Sequence, residues 1–392
     1  MQARAPVKPR AWNWRSRAAR GLVYQLVALT LIAAGVWFLA SNTQRNMAVR
    51  GIQSGFGFLQ QAAGFDIGET LIAYDPAQSY GRAIVVGVLN TLRVAVVGII
   101  CTTILGVLVG VGRFSRNALV RGLCYGYVEL FRNVPILLQL LMWYLFFVEV
   151  LPAPNEAWKL LDLFYLSKGG VAFPVPVWAD AHLLTAGGAL AGVAVGWWWR
   201  RRVQRRFELT GENGNRWLVP LVAIVGLSLL GWLLGGAPTA WSVPQQEAFQ
   251  VDGGASATPE FMAVLVGLTM YTASFVAEVV RGGIQSVSHG QTEAAGALGL
   301  SRRQTMNLVV LPQAMRVIIP PLTNQYLNLT KNSSLAVAIG YPDVVSIANT
   351  TLNQSGRAVE CIAIIMLVYL TTSLSTSALM NAYNKRVAIK ER

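Results

Sequence analysis

Long apolar runs recur along the chain, near residues 21–41, 83–111, 119–150, 181–199, 217–236, 260–283, 306–330 and 358–380. A helix needs about 20 such residues to cross the hydrocarbon core of a bilayer. The pattern therefore predicts an all-α integral membrane protein with about eight transmembrane helices. The first run, Leu22 to Ala40, is too long for the apolar part of a cleavable leader, and "FLASNTQ" offers no small-residue cleavage site. It is expected to stay as a signal anchor. The stretches between runs on the outer side carry Gly, Pro and Gln without a dense apolar pattern, so no separate soluble domain is expected.

Charge fixes an orientation. With the N-terminus placed in the cytoplasm, 22 of the 32 Lys and Arg residues fall in cytoplasmic stretches and seven in outer ones. The cytoplasmic set runs from Arg4, Lys8, Arg10 and Arg15 through Arg113, Arg200 to Arg206, Arg302 and Arg303 to Lys390 and Arg392. This asymmetry predicts that both termini are cytoplasmic. "RRRVQRR" at 200–206 directly follows Trp197, Trp198 and Trp199, which suits a stop-transfer cluster at lipid headgroups. The composition agrees: 54% hydrophobic, 13% charged, with a mean hydropathy of +0.47. The net charge of +14 does not imply nucleic acid, because the basic residues lie between apolar runs rather than on a solvated face. Cys101, Cys124 and Cys361 are far apart and beside apolar segments, so they read as packing residues rather than a disulfide or metal framework.

Several chemistries find no footing. The chain has no GxxxxGK[ST] loop and no Gly-Lys dipeptide, so it carries no phosphate loop of its own. His182 and His289 fall on opposite sides of the membrane, and no Ser or Thr has a partner His. No enzyme activity, bound cofactor or metal is expected, and any work must draw on energy from elsewhere.

One cytoplasmic stretch is unusual: "GQTEAAGALGLSRRQTMNLVVLPQA" at 290–314. Ser288 with Gln291 predicts a capping box that starts a short helix, Glu293 lies near the positive end of its dipole, and Gly299 suits the C′ position. Ser301 with Gln304 repeats the box and opens the next helix. Ala294, Ala295, Gly296 and Ala297 keep the first helix slim, so that another protein surface can approach closely. An amphipathic helix lying on the membrane surface is the alternative.

The motif "EAA…G…LP" in this stretch resembles the cytoplasmic loop of the permease subunits of ABC importers. "YVELFRNVPILLQL" at 127–140, "TASFVAEVVRGGIQSVSHGQ" at 272–291 and "LPQAMRVIIPPLTNQYLNLTKNSSL" at 311–335 resemble the polar amino-acid branch of that family. The resemblance implies a five-helix permease core within 83–384, interrupted by an insertion at about 151–258. Residues 1–82 would add a basic cytoplasmic N-terminus, an anchor helix and a periplasmic loop, and 385–392 a cytoplasmic tail. With one N-terminal and two inserted helices, the layout is similar to the general L-amino-acid permeases of bacteria. It further implies a coupling helix that docks on an ATPase, with Gly290, Glu293, Ala294, Ala295, Gly299, Arg302 and Arg303 as its coupling residues. Two ABC ATPase subunits using ATP-Mg, a second permease chain, related or identical, and a periplasmic amino-acid-binding protein are the implied partners, in the bacterial inner membrane.

Polar residues inside the runs complete the reading. Glu129 with Arg132, and Glu278 with Arg281, are three apart and can pair on one helix face, or cross between spans. Pro135, Pro312, Pro320 and Pro321 are expected to interrupt their spans. Asn324, Asn328 and Lys331 share a face with Asn332 nearby, and together with Arg93 they are candidates for a wall that receives an amino acid's carboxylate. Bonding between neighbouring helices is the alternative use of these groups. For the whole chain, the rival is a secondary transporter driven by an ion gradient, which would need more midspan carboxylates than this sequence offers.

Overall fold

The structure, a computed structural model, describes residues 17–49, 51, 54–211, 214–247 and 250–387. Arg4, Lys8, Arg10 and Arg15 of the expected cytoplasmic N-terminus, Arg50, and Lys390 and Arg392 of the expected tail lie outside the described residues.

Helices dominate: α1 Arg17–Val49, α2 Tyr80–Gly112, α3 Ala118–Asn133, α4 Ile136–Leu145, α5 Asp180–Thr210, α6 Leu218–Leu234, α7 Pro259–Gln285, α8 His289–Ala297, α9 Arg302–Gln304, α10 Leu311–Asn332, α11 Val344–Ser355 and α12 Ala358–Val387. Among the described residues five helical segments are long and apolar enough to span, namely Arg20–Val49, Tyr80–Gly112, Pro259–Gln285, Arg302–Ile339 and Ala358–Asn384. The expected count of eight is not confirmed by length and hydropathy. The run at 119–150 is broken: Pro135 pushes Val134 into extended backbone, and the axes of α3 and the helix that follows turn by 105°. Counted as one span, that bent pair makes a sixth. The run at 181–199 continues as α5 through the arginines to Thr210, and the run at 217–236 yields only the 17 residues of α6.

The chain divides into two compact units. The first comprises the described parts of Met1–Asn90 with Pro342–Thr372. Phe58, Ala63, Tyr80, Val86, Ile347 and Cys361 form its core. Asn90, fully buried, donates from Nδ2 to the carbonyls of Glu69 and Pro342, each at 2.9 Å. This holds the 54–79 loop to the approach of α11. Asp343, also fully buried, caps α11 by accepting from the Ser346 N–H at 2.8 Å.

The second unit comprises Thr91–Tyr341 and the described part of Ser373–Arg392. Leu140, Phe147, Leu151, Phe261, Val264 and Leu268 join α4 and α7 in one cluster. Val276, Val280, Ala314, Ile318 and Tyr326 join α7 and α10 in another. Gly106 of α2 lies so close to α7 that a Cβ there would fall 2.5 Å from Val276 Cγ1. The insertion adds a helical hairpin, α5 against α6. Gly188, Gly192 and Gly196, four residues apart, lie against the backbone of α6, and a Cβ at Gly188 would fall 2.1 Å from the Leu227 carbonyl oxygen.

The stretches expected on the outer side, where no separate soluble domain is expected, contain short strands. These are β1 Trp158–Leu160, β2 Phe164–Ser167, β3 Gly170–Phe173, β4 Val175–Pro176, β5 Trp241–Ser242, β6 Gln245–Gln246, β7 Val251–Asp252 and β8 Ala255–Ala257. β1-β2-β3-β8 form an antiparallel four-stranded sheet, and β4-β5 and β6-β7 form two-stranded pairs. β8 leads through the cap residue Thr258 straight into α7.

Candidate coupling and translocation site

The polar stretch forms the helix its sequence predicts, with one change at its start. Ser288 occupies the N-cap of α8, but its side chain makes no capping hydrogen bond. Gln291 turns away and accepts from Gln313 Nε2 at 3.4 Å, tying α8 to the start of α10. The other end closes as a Schellman turn: Leu300 N–H donates to Ala295 O at 3.1 Å and Gly299 N–H to Gly296 O at 2.9 Å, with Gly299 at φ +74°. The Ser301–Gln304 box is complete, with Gln304 N–H to Ser301 Oγ at 3.4 Å and Ser301 N–H to Gln304 Oε1 at 2.9 Å.

This geometry sorts the predicted coupling residues. Ala295 is 3% exposed and anchors α8 from beneath, so it does not belong to the open face. Gly290, Glu293 and Ala294 are exposed, as are Gly299, Arg302 and Arg303 beyond the helix. Glu293 accepts from His289 Nδ1 at 3.1 Å, one turn earlier. Leu298, 80% exposed beside Ala294 and Ala297, is a large apolar side chain on the open face that sequence reading did not single out. Its signal was available: an apolar residue just before the C′ glycine in an otherwise polar loop.

A charge cluster stands at the root of this loop. Glu278 of α7 accepts from Arg113 Nη1, at the end of α2, at 2.5 Å. Arg281, three residues on, binds the same carboxylate and also reaches Gln285. Arg132 of α3 lies 3.9 Å from Glu278. The expected Glu129–Arg132 pair is therefore corrected: Glu129 accepts from Asn133 Nδ2 at 3.4 Å, and Arg132 turns to Glu278 and to the Phe275 ring. One carboxylate thus gathers α2, α3 and α7 where α7 leads into α8. Crossed pairing wins because Glu278 is half-buried, and a half-buried charge needs partners that a water-facing one does not.

Of the proposed substrate path, Asn324, Asn328 and Lys331 lie on one exposed face of α10, while Leu322, Tyr326 and Leu329 bury the opposite face. Pro320 and Pro321 lie within α10 without ending it, so the expected interruption occurs only at Pro135, and Pro312 falls in the first turn of the helix. Asn332 is half-buried. Arg93 sits 3.9 Å over the Phe261 ring. The unit also holds an apolar cleft of about 400 Å³, lined by Val107, Val280, Ile284, Met315, Met380 and Tyr383 among others. Such walls do not suit a zwitterion, because burying its charges there would leave them unpaired. The exposed stripe of α10 instead presents two amides and an ammonium on the surface of this chain.

Residues 102–389 match the family described as binding-protein-dependent transport system inner membrane component. The chain is 46% identical to the general L-amino acid transport system permease protein AapQ of Rhizobium johnstonii, over 99% of this chain and 98% of that one. It is 45% identical to the putative amino-acid ABC transporter permease protein YhdX of Escherichia coli, over 97% of each. It is 41% identical to the glutamate/glutamine/aspartate/asparagine transport system permease protein BztB of Rhodobacter capsulatus, over 95% of each. With a matching family model over most of its length and near-full-length relatives, the chain belongs to the binding-protein-dependent transport system inner membrane components, the membrane-spanning permeases of ABC importers.

Proposed function

We propose that this permease carries L-amino acids inward across the bacterial inner membrane, with α8 receiving the stroke of a separate ATPase and the polar face of α10 lining the path. The observation that carries the reading is the exposed face of α8: small, capped at its C-terminal end, fastened below by Ala295, and rooted in the Glu278 cluster. A connector between two spans has no need of such a face. Small side chains at Gly290, Ala294 and Ala297 let a partner's surface approach the helix backbone, and Leu298 offers an apolar knob to a partner's pocket.

The exposed Asn324, Asn328 and Lys331 support a second permease chain, related or identical, facing this one. A polar stripe on a membrane-embedded helix is costly against lipid, and a partner chain across an aqueous path removes that cost. The names of the relatives support amino acids as the substrate class. The assembly would then hold two permease chains, two ATPase subunits that bind ATP-Mg, and a periplasmic binding protein that delivers the amino acid. Closure of the ATPases turns the path outward, and their opening after hydrolysis turns it inward, each state favoured by the contacts it makes. Both termini lie in the cytoplasm on the charge asymmetry.

The test is Ala294→Trp. The variant should insert and retain its co-purifying ATPase poorly, or retain it with hydrolysis uncoupled from uptake. Full assembly with normal coupled uptake would remove α8 from the ATPase contact.

A further inference from the structure

The four-stranded sheet carries a surface that the transport reading does not use. Residues directly opposite in an antiparallel pair share a face. Trp158 stands opposite Leu166, and Leu160 opposite Phe164. Leu166 in turn stands opposite Val171, and Val171 opposite Ala257. At its β3–β8 end this face is covered, because Leu166, Phe173 and Ala257 pack with Phe147, Leu151 and Phe261 at the ends of the helical core. At its β1 end the face runs past that support. Trp158 is 57% exposed, Leu160 64% and Phe164 41%, and the turn adds Leu161 at 79%. The opposite face is different: Lys159 lies over the Tyr165 ring, while Tyr165 and Ala172 are buried with Ala157 and Val251.

Position decides what this overhang meets. The covered part of the face packs on Phe147 and Leu151, where the apolar segment Ile136–Val150 ends, and on Phe261 in the first turn of α7, so the sheet lies at the level where these two membrane segments end. The turn strengthens the point. Leu161 and Asp162 have φ of 57° and 52°, left-handed backbone that a bulky Leu adopts at a cost of about 1 kcal/mol. Asn-Gly would make this turn with less strain and without an apolar side chain.

We propose that the β1–β2 hairpin is an interfacial anchor, with Trp158, Leu160, Leu161 and Phe164 seated at the boundary of headgroups and acyl chains in the leaflet at that end of the helices. Trp, Phe and Leu together suit this layer, and Lys159 on the far face stays in water. The anchor fixes the height of the sheet, and through β8 and Thr258 that of the first turn of α7.

A cysteine scan of the full chain in lipid nanodiscs tests the anchor, with Cys101, Cys124 and Cys361 replaced by alanine and an environment-sensitive fluorophore placed by Trp158→Cys, Lys159→Cys or Leu160→Cys. Lipids spin-labelled near the headgroup end of the acyl chain should quench the probes at 158 and 160 severalfold more than the probe at 159. Aqueous iodide should show the reverse order. Equal aqueous quenching at all three positions overturns the proposal. Hydroxyl-radical footprinting of the unsubstituted chain in nanodiscs and in the assembled transporter supplies a second reading. Protection of Leu160 and Leu161 in both supports lipid contact. Protection that arises only in the assembled transporter assigns the surface to a protein partner and overturns the anchor.

Discussion

Removing the charge of Glu278 should be the most damaging conservative change near the coupling loop. In Glu278→Gln the amide keeps an acceptor for one guanidinium but presents an NH2 donor to the others. Arg113, with its side chain 11% exposed and 2.5 Å from the carboxylate, would then face Arg281 with no counter-charge between them. Breaking a buried pair costs about 3–5 kcal/mol, and an exposed pair is worth about 0–1 kcal/mol. With Glu278 at 28% exposure, the change lies between these limits, at about 2–3 kcal/mol. Arg113→Gln should approach that value, Arg281→Gln should cost less because it pairs with its own helix, and Arg132→Gln, 36% exposed and 3.9 Å away, should cost under about 1 kcal/mol. Reversible unfolding of the purified chain in mixed micelles measures the order. Adding Arg113→Gln to Glu278→Gln should cost little more than either alone, since both remove one interaction. Equal losses for all three arginines, or a loss within about 0.5 kcal/mol for Glu278→Gln, would refute the hub.

Three further outcomes are expected. If Lys331 receives the substrate carboxylate, Lys331→Gln should weaken the substrate dependence of ATPase activity in the reconstituted complex without its binding protein by roughly ten- to a hundredfold, the worth of about 1.5–3 kcal/mol. An unchanged dependence for both Lys331→Gln and Asn328→Ala would shift attention to Arg93. Gly192→Ala should pry α5 from α6, since a Cβ there falls 2.5 Å from Ile224 Cα, and a disulfide engineered across the hairpin should form more slowly while the α7–α10 core keeps its stability. Burial pushes the Asp343 carboxyl up to about 7, against the opposing pull of hydrogen bonds from Ser346, Val345 and Tyr369. Below the unfolded value of about 3.9 both states are protonated. Between there and about 7 the folded chain holds a proton that the unfolded chain has released, so this contribution to stability is lost as pH rises through that window. Asp343→Asn should therefore flatten the pH dependence of Tm between these values, and an unaltered profile would assign it to other groups.

The sequence made the spans legible where a single apolar run met its own polar ends, as in α2, α7 and α12. It misled where length alone was used. The run at 119–150 is long enough for one span, but Val134-Pro135 breaks it, and a proline's effect depends on its neighbours: Pro320 and Pro321 lie inside α10 without breaking it. The strands escaped because each has at most four residues, too few for alternation to stand out. At the site, caps and glycine turns were readable because they are local. Side-chain direction was not: Ala295 buries and Ala294 does not, which only the packing of α8 decides. The Glu278 cluster was half readable, since the i,i+3 pair with Arg281 is local but the 2.5 Å contact with Arg113 joins residues far apart in the chain.

This chain should move amino acids only as the membrane half of an ATP-driven machine. The direct measurement is uptake of a labelled L-amino-acid mixture into proteoliposomes by the complex purified from its native membrane, with ATP-Mg on the ATPase side and the binding protein on the other. Uptake should require ATP and the ATPase, persist when ionophores collapse ion gradients, and fail in Ala294→Trp. Uptake by this chain alone, driven by an imposed ion gradient and indifferent to ATP, would contradict it.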